Sequence, residues 1–104
     1  MSNIVIQTTF SNEKAASKLA ERLIEKKLAA CIQIEGPILS LYSWKNKVVK
    51  EQEYRCQIKT TAKKYQEIES YILKNHNYEN PEIISFKINN GSPRYLEWMK
   101  GVLE

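Results

Sequence analysis

The sequence contains no aspartate, one histidine and two cysteines, and these shortages exclude several classes of functional site. All twelve acidic residues are glutamates, which rules out Asp-dependent calcium loops, aspartic dyads and Ser-His-Asp triads. Only three glycines occur, and none belongs to a phosphate-binding loop or a dinucleotide fingerprint. The composition therefore removes most common catalytic machinery while leaving a foldable chain.

The remaining composition is that of one folded domain, which we place at residues 1–104. Hydrophobic residues make up 42% and charged residues 27%, enough apolar surface for a core. Cys31 and Cys56 are too few for a disulfide framework and do not form a Cys-x-x-Cys pair, so we expect a reducing, cytoplasmic environment. We see no leader pattern and no membrane-spanning run, and we expect no membrane partner.

The net charge of +4 does not predict nucleic-acid binding. The sixteen basic residues are spread along the chain, and many stand opposite glutamates at helical spacing. The aromatic strands also lack the Arg/Lys-Gly-aromatic run with which an RNA-binding sheet stacks bases. A solvated, salt-bridged surface is the better interpretation.

Hydrophobic periodicity predicts alternating strands and helices. Strands are expected at residues 4–9, 31–34, 38–44, 48–60 and 82–88. Helices are expected to follow caps at Ser11 or Asn12, at Thr61, and at Ser92 with its Pro93. Gly36-Pro37 should kink or bulge one long strand, and Asn46 suits the positive φ of a tight hairpin.

This β-α-β-β-α-β-α order predicts an α+β, ferredoxin-like domain. Residues 5–9 and 57–61 are similar and each precedes a helix, as in a split βαβ duplication. Both crossover helices should cover one face of a four-stranded antiparallel sheet, and the third helix only part of the other. Tyr42, Trp44 and Tyr54 remain as apolar surface for self-association.

The strand at residues 48–60 has one polar side. Glu51, Glu53 and Arg55 alternate with residues of the other face, so we expect this side to be either solvated or paired with another subunit. Aromatic residues near the turns and last helix predict an interface or a shallow ligand cleft.

His76 lies in a polar, turn-like segment, where an imidazole is reachable by a ligand or serves as a capping group. A cysteine together with a histidine would suit copper or zinc if the fold brought them together. Strand cysteines also serve as small apolar core residues. Cys31 with His76 is the one conceivable nucleophile and base pair, and we favour binding over catalysis.

The order of residues resembles the CutA family, the divalent-cation tolerance proteins, nearly from end to end. The resemblance rests on residues 4–10 (IVIQTTF), 28–32 (LAACI), 40–44 (SLYSW), 58–61 (IKTT), 76–83 (HNYENPEI) and 91–98 (GSPRYLEW). It implies a stable homotrimer of ferredoxin-like subunits, related in architecture to the PII signalling proteins. It also implies a role in copper and heavy-metal tolerance, without enzymatic activity.

Positions that match the family motifs supply candidate site residues. The resemblance implies that copper or another divalent metal ion would be held by Cys31, His76 and Glu79. The residues expected to line an inter-subunit cleft are Trp44, Lys59, Tyr78 and Trp98. Two positions depart from the family pattern: Asn77 replaces a usual proline and loosens the loop, whereas Asn46 replaces a usual glycine at little conformational cost.

Two further functions stay open at this point. One is a PII-like sensor that binds a small anionic metabolite in the same cleft, with Lys59 supplying the positive charge. The other is a structural module whose single property is trimerisation.

Overall fold

A computed structural model describes residues 2–104. The strands are β1 (Asn3–Phe10), β2 (Cys31–Trp44), β3 (Lys47–Thr61) and β4 (Ile84–Lys87). The α-helices are α1 (Glu13–Glu25), α2 (Tyr65–Asn75) and α3 (Pro93–Leu103), and a 3₁₀ turn, Ala62–Lys64, precedes α2. The strands pair antiparallel in the order β2-β3-β1-β4, which confirms the ferredoxin-like arrangement.

The main core lies between one face of the sheet and the helices α1 and α2. Alternate residues of β1 and β3 point to this face, and one stripe of each helix packs on them, as the periodicity predicted. Its largest buried side chains include Ile6, Phe10, Leu23, Ile58, Ile68 and Ile72. Burying each such side chain contributes roughly 1.5–3 kcal/mol to folding.

Two of the three predicted helix caps are present. The Asn12 side chain accepts a hydrogen bond from the backbone N–H of Ala15 at 2.8 Å, and Ser92 accepts from that of Tyr95 at 3.4 Å. The prediction for Thr61 is wrong. Its side chain forms no capping bond because the 3₁₀ turn intervenes, and α2 starts after Lys64.

The hairpin formed by β2 and β3 has the predicted turn and bulge. Asn46 takes a φ of 65° in the turn, and the strand register shifts between Glu35 and Ile38. At Gly36, a Cβ would come within 2.5 Å of the Tyr54 ring and 3.0 Å of the Glu53 carbonyl oxygen. Glycine therefore lets the two strands approach closely at the bulge.

Half of this hairpin projects beyond the sheet. β1 ends at Phe10, which pairs with Tyr54, so residues 38–44 and 47–53 continue as a two-stranded arm. We call these residues the hairpin arm.

β4 is shorter than the predicted strand at residues 82–88. Its pairing with β1 stops at Gln7 and Ile84. Thr9 is the next residue of β1 whose carbonyl lies on the β4 side, and this carbonyl accepts a hydrogen bond from the His76 ring. A side chain thus replaces further strand pairing at this point.

The opposite face of the sheet is only partly covered, as expected. α3 packs Met99 and Leu103 against Ala30 at one end. Ile84, Phe86 and Trp98 remain 44–49% exposed. Within residues 2–104, no helix combines the length and apolar character needed to cross a membrane.

Candidate functional site

A groove of about 800 Å³ lies between the hairpin arm and the loop that follows α2. One wall comes from residues 40–44 and 49–53, and the other from residues 77–82. We call this space the hairpin groove. Its aromatic wall residues are Tyr42, Trp44 and Tyr78.

The hairpin groove is acidic although the protein carries a net charge of +4. Its lining includes four glutamates and no lysine or arginine. The four glutamates are Glu51, Glu53, Glu79 and Glu82. Because opposite charge is missing from the walls, the space between them favours a cationic occupant.

Glu53 is the most deeply placed of these carboxylates, at 6% exposure. The Tyr78 hydroxyl donates a hydrogen bond of 2.7 Å to its Oε2. Among residues 2–104, the ion pairs are Arg22 with Glu25 and Arg55 with Glu35, so no basic side chain neutralises Glu53. The expectation that this side of the strand is solvated or paired with another subunit is wrong for Glu53, because Tyr78 of the same subunit covers it.

The two phenols of the hairpin groove are held in their neutral, donating form. Burial and the hydrogen bond to Glu53 raise the pKa of Tyr78 well above its usual value. A hydrogen bond to Glu51 raises the pKa of Tyr42. Negative charge beside each phenol disfavours its ionisation, so both tyrosine hydroxyls keep their protons at neutral pH.

His76 anchors the loop wall through both ring nitrogens. Its Nε2 lies 2.7 Å from the Thr9 carbonyl oxygen, to which it must donate, and its Nδ1 accepts from the Tyr78 backbone N–H at 3.0 Å. The ring also stacks on Phe10 with centroids 4.2 Å apart. Both nitrogens are occupied, which leaves no lone pair for a metal ion.

The structure does not bring the three predicted metal ligands together within one subunit. Cys31 pairs with Lys59, whose partner on β1 is Val5, whereas His76 bonds at Thr9. Val5 and Thr9 are separated by about 13 Å along the strand. Across residues 2–104 no group of three His, Cys, Asp or Glu side chains is placed to hold a metal ion. These residues therefore do not fit a copper centre in a single subunit.

The four predicted cleft residues fall into two groups. Trp44 and Tyr78 line the hairpin groove together with Glu79. Lys59 lies elsewhere, with its Nζ 5.6 Å from the Tyr95 ring centre, and Tyr95 lies 5.5 Å from Trp98. Within one subunit the four residues therefore lie at two separate places.

Sequence reasoning missed the part that the hairpin arm plays in this site. Tyr42, Glu51, Glu53 and Glu82 were not assigned to it. For the three residues of the hairpin arm the signal lies in the register, because Ser40 opposes Glu51 and Ile38 opposes Glu53 on the face that carries Tyr42. Only after the bulge is located does this alternation place tyrosine and glutamates on one side.

Comparison with known proteins identifies the family. The family model described as CutA1 divalent ion tolerance protein matches residues 4–102. The chain belongs to the CutA1 family. A CutA protein of Arabidopsis thaliana, described as chloroplastic, is 39% identical over 98 residues, which cover 94% of this chain and 54% of that protein. This chain therefore spans about half the length of that relative.

Bacterial relatives and solved structures agree over the whole domain. The divalent-cation tolerance protein CutA of Thermotoga maritima is 35% identical over 97 residues, covering 93% of this chain and 95% of that one. The crystal structure of CutA1 from Oryza sativa superposes with a TM-score of 0.95 at 36% identity, covering 98% and 94% of the two chains. The ferredoxin-like fold and the family are thus established together.

Proposed function

We propose that this CutA1-family protein acts in divalent-cation tolerance as a binding protein rather than an enzyme, in a reducing compartment such as the cytoplasm. The observation that carries the proposal is the hairpin groove, where four glutamates and no basic residue line the walls of a net-positive protein. Carboxylates and aromatic rings both attract cations. The groove is also lined by Tyr78 and Glu79, which belong to the segment 76–83 that resembles the CutA family.

The donor chemistry narrows the class of cation. Oxygen ligands suit hard ions, whereas copper prefers sulfur and imidazole donors. Since the His76 nitrogens are occupied, Glu79 and Glu53 are the proposed cation-facing groups of one subunit. A copper site would need Cys31 from a neighbouring subunit close to a groove carboxylate.

We propose that the assembly is a homotrimer. The separation of these two groups supports this, because Lys59 and Trp98 could share one cleft with Trp44 and Tyr78 only across an interface between subunits. The open sheet face supports it as well, since Ile84, Phe86 and Trp98 leave apolar surface uncovered. Native mass spectrometry tests the oligomeric state, and a monomer at micromolar concentration would remove the inter-subunit cleft.

Calorimetric titration of the reduced protein with Mg²⁺, Mn²⁺, Zn²⁺ and Cu²⁺ tests the cation proposal. Glu53→Gln with Glu79→Gln should weaken binding of the hard ions, whereas Glu21→Gln with Glu67→Gln, an equal charge change on exposed helix faces, should not. Cys31→Ser should affect copper alone. Equal binding by the groove variant and the control variant would refute the groove as the site.

The second candidate, an anion sensor, has one supporting observation. Lys59 is half-buried, with its Nζ 5.6 Å from the Tyr95 ring centre, and it belongs to neither ion pair found among residues 2–104. Lys59→Ala should abolish binding of a dicarboxylate or phosphate ligand while sparing cation binding. If neither cations nor anions bind, the remaining function is that of a structural module that only trimerises.

A further inference from the structure

The loop between β4 and α3 contains a reactive pair of residues that the proposed function does not use. Asn90 is followed by Gly91, and both residues are exposed. Among the eight asparagines of the chain, Asn90 is the one that a glycine follows. The pair matters because the backbone nitrogen after an asparagine can attack the side-chain amide, and glycine, which has no side chain, hinders this attack least.

The structure leaves the attacking nitrogen free. Within the described residues 2–104, the backbone N–H of Gly91 donates to no backbone carbonyl. The last backbone bond before the loop joins the Ile88 N–H to the Asn3 carbonyl oxygen at 2.9 Å, and the next is donated by Leu96 in α3. The loop can therefore change its conformation without breaking a backbone hydrogen bond.

The other asparagines are less suited to this reaction. The Asn12 side chain caps α1, and the Asn75 side chain donates to the backbone of α2. Asn80 precedes Pro81, which has no N–H. The remaining asparagines are followed by residues whose side chains are bulkier than that of glycine. Asn90 is therefore the most reactive asparagine of the chain.

The loop lies away from the surfaces that we assign to a neighbouring subunit. It follows a bond to Asn3 at one end of β1, whereas the hairpin arm begins beyond Phe10 at the other end, about 23 Å away. Gly91 lies against the Leu96 side chain, whereas Trp98 projects from the opposite side of α3, because two residues turn a helix by about 200°. The proposed contacts at the hairpin groove and at Trp98 therefore do not involve this loop.

We propose that Asn90 is a site of spontaneous deamidation, with water as the co-reactant. The Gly91 nitrogen forms a bond to the side-chain carbonyl carbon of Asn90, and the bond from that carbon to the side-chain nitrogen breaks. The side-chain NH₂ leaves with the Gly91 amide proton as ammonia, and a cyclic succinimide remains. Water then opens the ring, at the side-chain carbonyl to give aspartate or at the main-chain carbonyl to give isoaspartate.

The two products differ in what they do to α3. Each replaces a neutral amide by a carboxylate in a chain that has no aspartate. The aspartate form keeps the main chain and places the charge near the start of α3, where the helix dipole favours it. The isoaspartate form adds a methylene group to the main chain beside Gly91, where a Cβ would already come within 3.1 Å of Leu96. We therefore expect the isoaspartate form to loosen Leu96 and the contacts of α3.

The test follows the assembled protein during incubation at neutral pH without added metal, so its outcome is independent of the cation proposal. Trypsin releases residues 88–94 as one peptide, since Lys87 precedes it and Arg94 ends it. Mass spectrometry with fragmentation of this peptide locates the change from amide to carboxylic acid. A carboxyl methyltransferase specific for isoaspartate labels the isoaspartate form, and a sample digested before incubation corrects for deamidation during digestion.

We expect the modified fraction at Asn90 to rise with time and to include isoaspartate. Asn90→Gln should abolish the rise, whereas the matched control Asn89→Gln should leave it unchanged. An equal rise in Asn90→Gln would overturn the proposal. A rate in the assembled protein lower by about tenfold or more than that of a synthetic peptide of residues 88–94 would also overturn it, because such protection requires ordered structure around the loop.

Ion exchange separates the modified protein for a test of the effect on α3. The isoaspartate fraction should melt at a lower temperature than fresh protein, whereas Asn90→Asp, which adds the charge without lengthening the main chain, should not. Equal melting temperatures of the isoaspartate fraction and fresh protein would overturn the loosening of α3. An equal loss in Asn90→Asp would overturn it as well, because charge alone would then account for the effect.

Discussion

The helix-covered face of the sheet and the hairpin arm are built from the same strands but differ in what their side chains meet. Along β3, Cys56 and Ile58 are fully buried under the helices, whereas Val48 on the same strand face is 76% exposed. The face is continuous, but α1 and α2 cover only the half that contains Cys56 and Ile58. β3 therefore contributes to the core at one end and lines the hairpin groove at the other, so we expect substitutions in the two halves to affect different properties.

The largest expected effect is on the covered half. Ile58→Ala should lower the free energy of unfolding by about 2–5 kcal/mol, because it leaves a cavity beneath the helices. Leu41→Ala on the arm, where the side chain is 56% exposed, should change it by less than about 0.5 kcal/mol. Urea unfolding of both variants measures the contrast. A similar cost at Leu41 would mean that another subunit buries this side chain.

A smaller effect is expected at the junction between the two halves. Gly36→Ala should cost about 1–3 kcal/mol, because its Cβ would press on the Tyr54 ring and the Glu53 carbonyl. The control is Gly101→Ala in α3, where nothing lies within 4 Å of the added Cβ and a small gain of about 0.5–1 kcal/mol is expected. Thermal unfolding compares the two variants, and equal melting temperatures would contradict close approach at the bulge.

Within the hairpin groove, Tyr78→Phe should cost about 1–2 kcal/mol, since it removes the hydrogen bond to Glu53. Folding raises the pKa of Tyr78 above its ordinary value of 10.0, so this contribution is complete below pH 10 and is lost as the pH rises further. The difference between the parent and the variant should therefore be constant from neutral pH to about 9 and then shrink.

Urea midpoints measured across this pH range check the Tyr78 prediction, with Tyr71→Phe on α2 as the control that should show no such trend. A difference that grows with pH would contradict the assigned bond.

The smallest effect is expected at the surface ion pair beside the bulge. Arg55 and Glu35 are 2.7 Å apart, but their side chains are 34% and 55% exposed. Arg55→Gln should therefore cost no more than about 1 kcal/mol, and the cost should disappear near 1 M salt. A cost that persists at high salt would indicate that another subunit desolvates the pair.

Much of the fold was predictable because its signals are local. Asn12 caps a helix three residues away, and Asn46 takes the positive φ that its hairpin needs. The failure at Thr61 has a local cause too, because an extra 3₁₀ turn moved the helix start beyond the reach of its side chain.

The site was predictable in part. The motif residues Trp44, Tyr78 and Glu79 do line one groove. His76 was expected to bind metal, but its ring nitrogens bond to the Thr9 carbonyl and the Tyr78 backbone N–H. The bond to Thr9 depends on where the pairing of β1 ends, which the sequence pattern does not give. Cys31 was grouped with His76 by residue type and by the family resemblance, and the sheet register separates them within one subunit.

The sequence by itself determined the order of elements, the helix faces, the turn at Asn46 and the family, because periodicity and short motifs act over a few residues. Only the tertiary structure decided that Glu53 would be buried under Tyr78, which lies twenty-five positions later. It also decided that the β2–β3 hairpin would extend beyond the end of β1. The physical reason is that burial and charge pairing depend on which distant segments meet, and the arm and the loop meet only once the sheet has fixed its register.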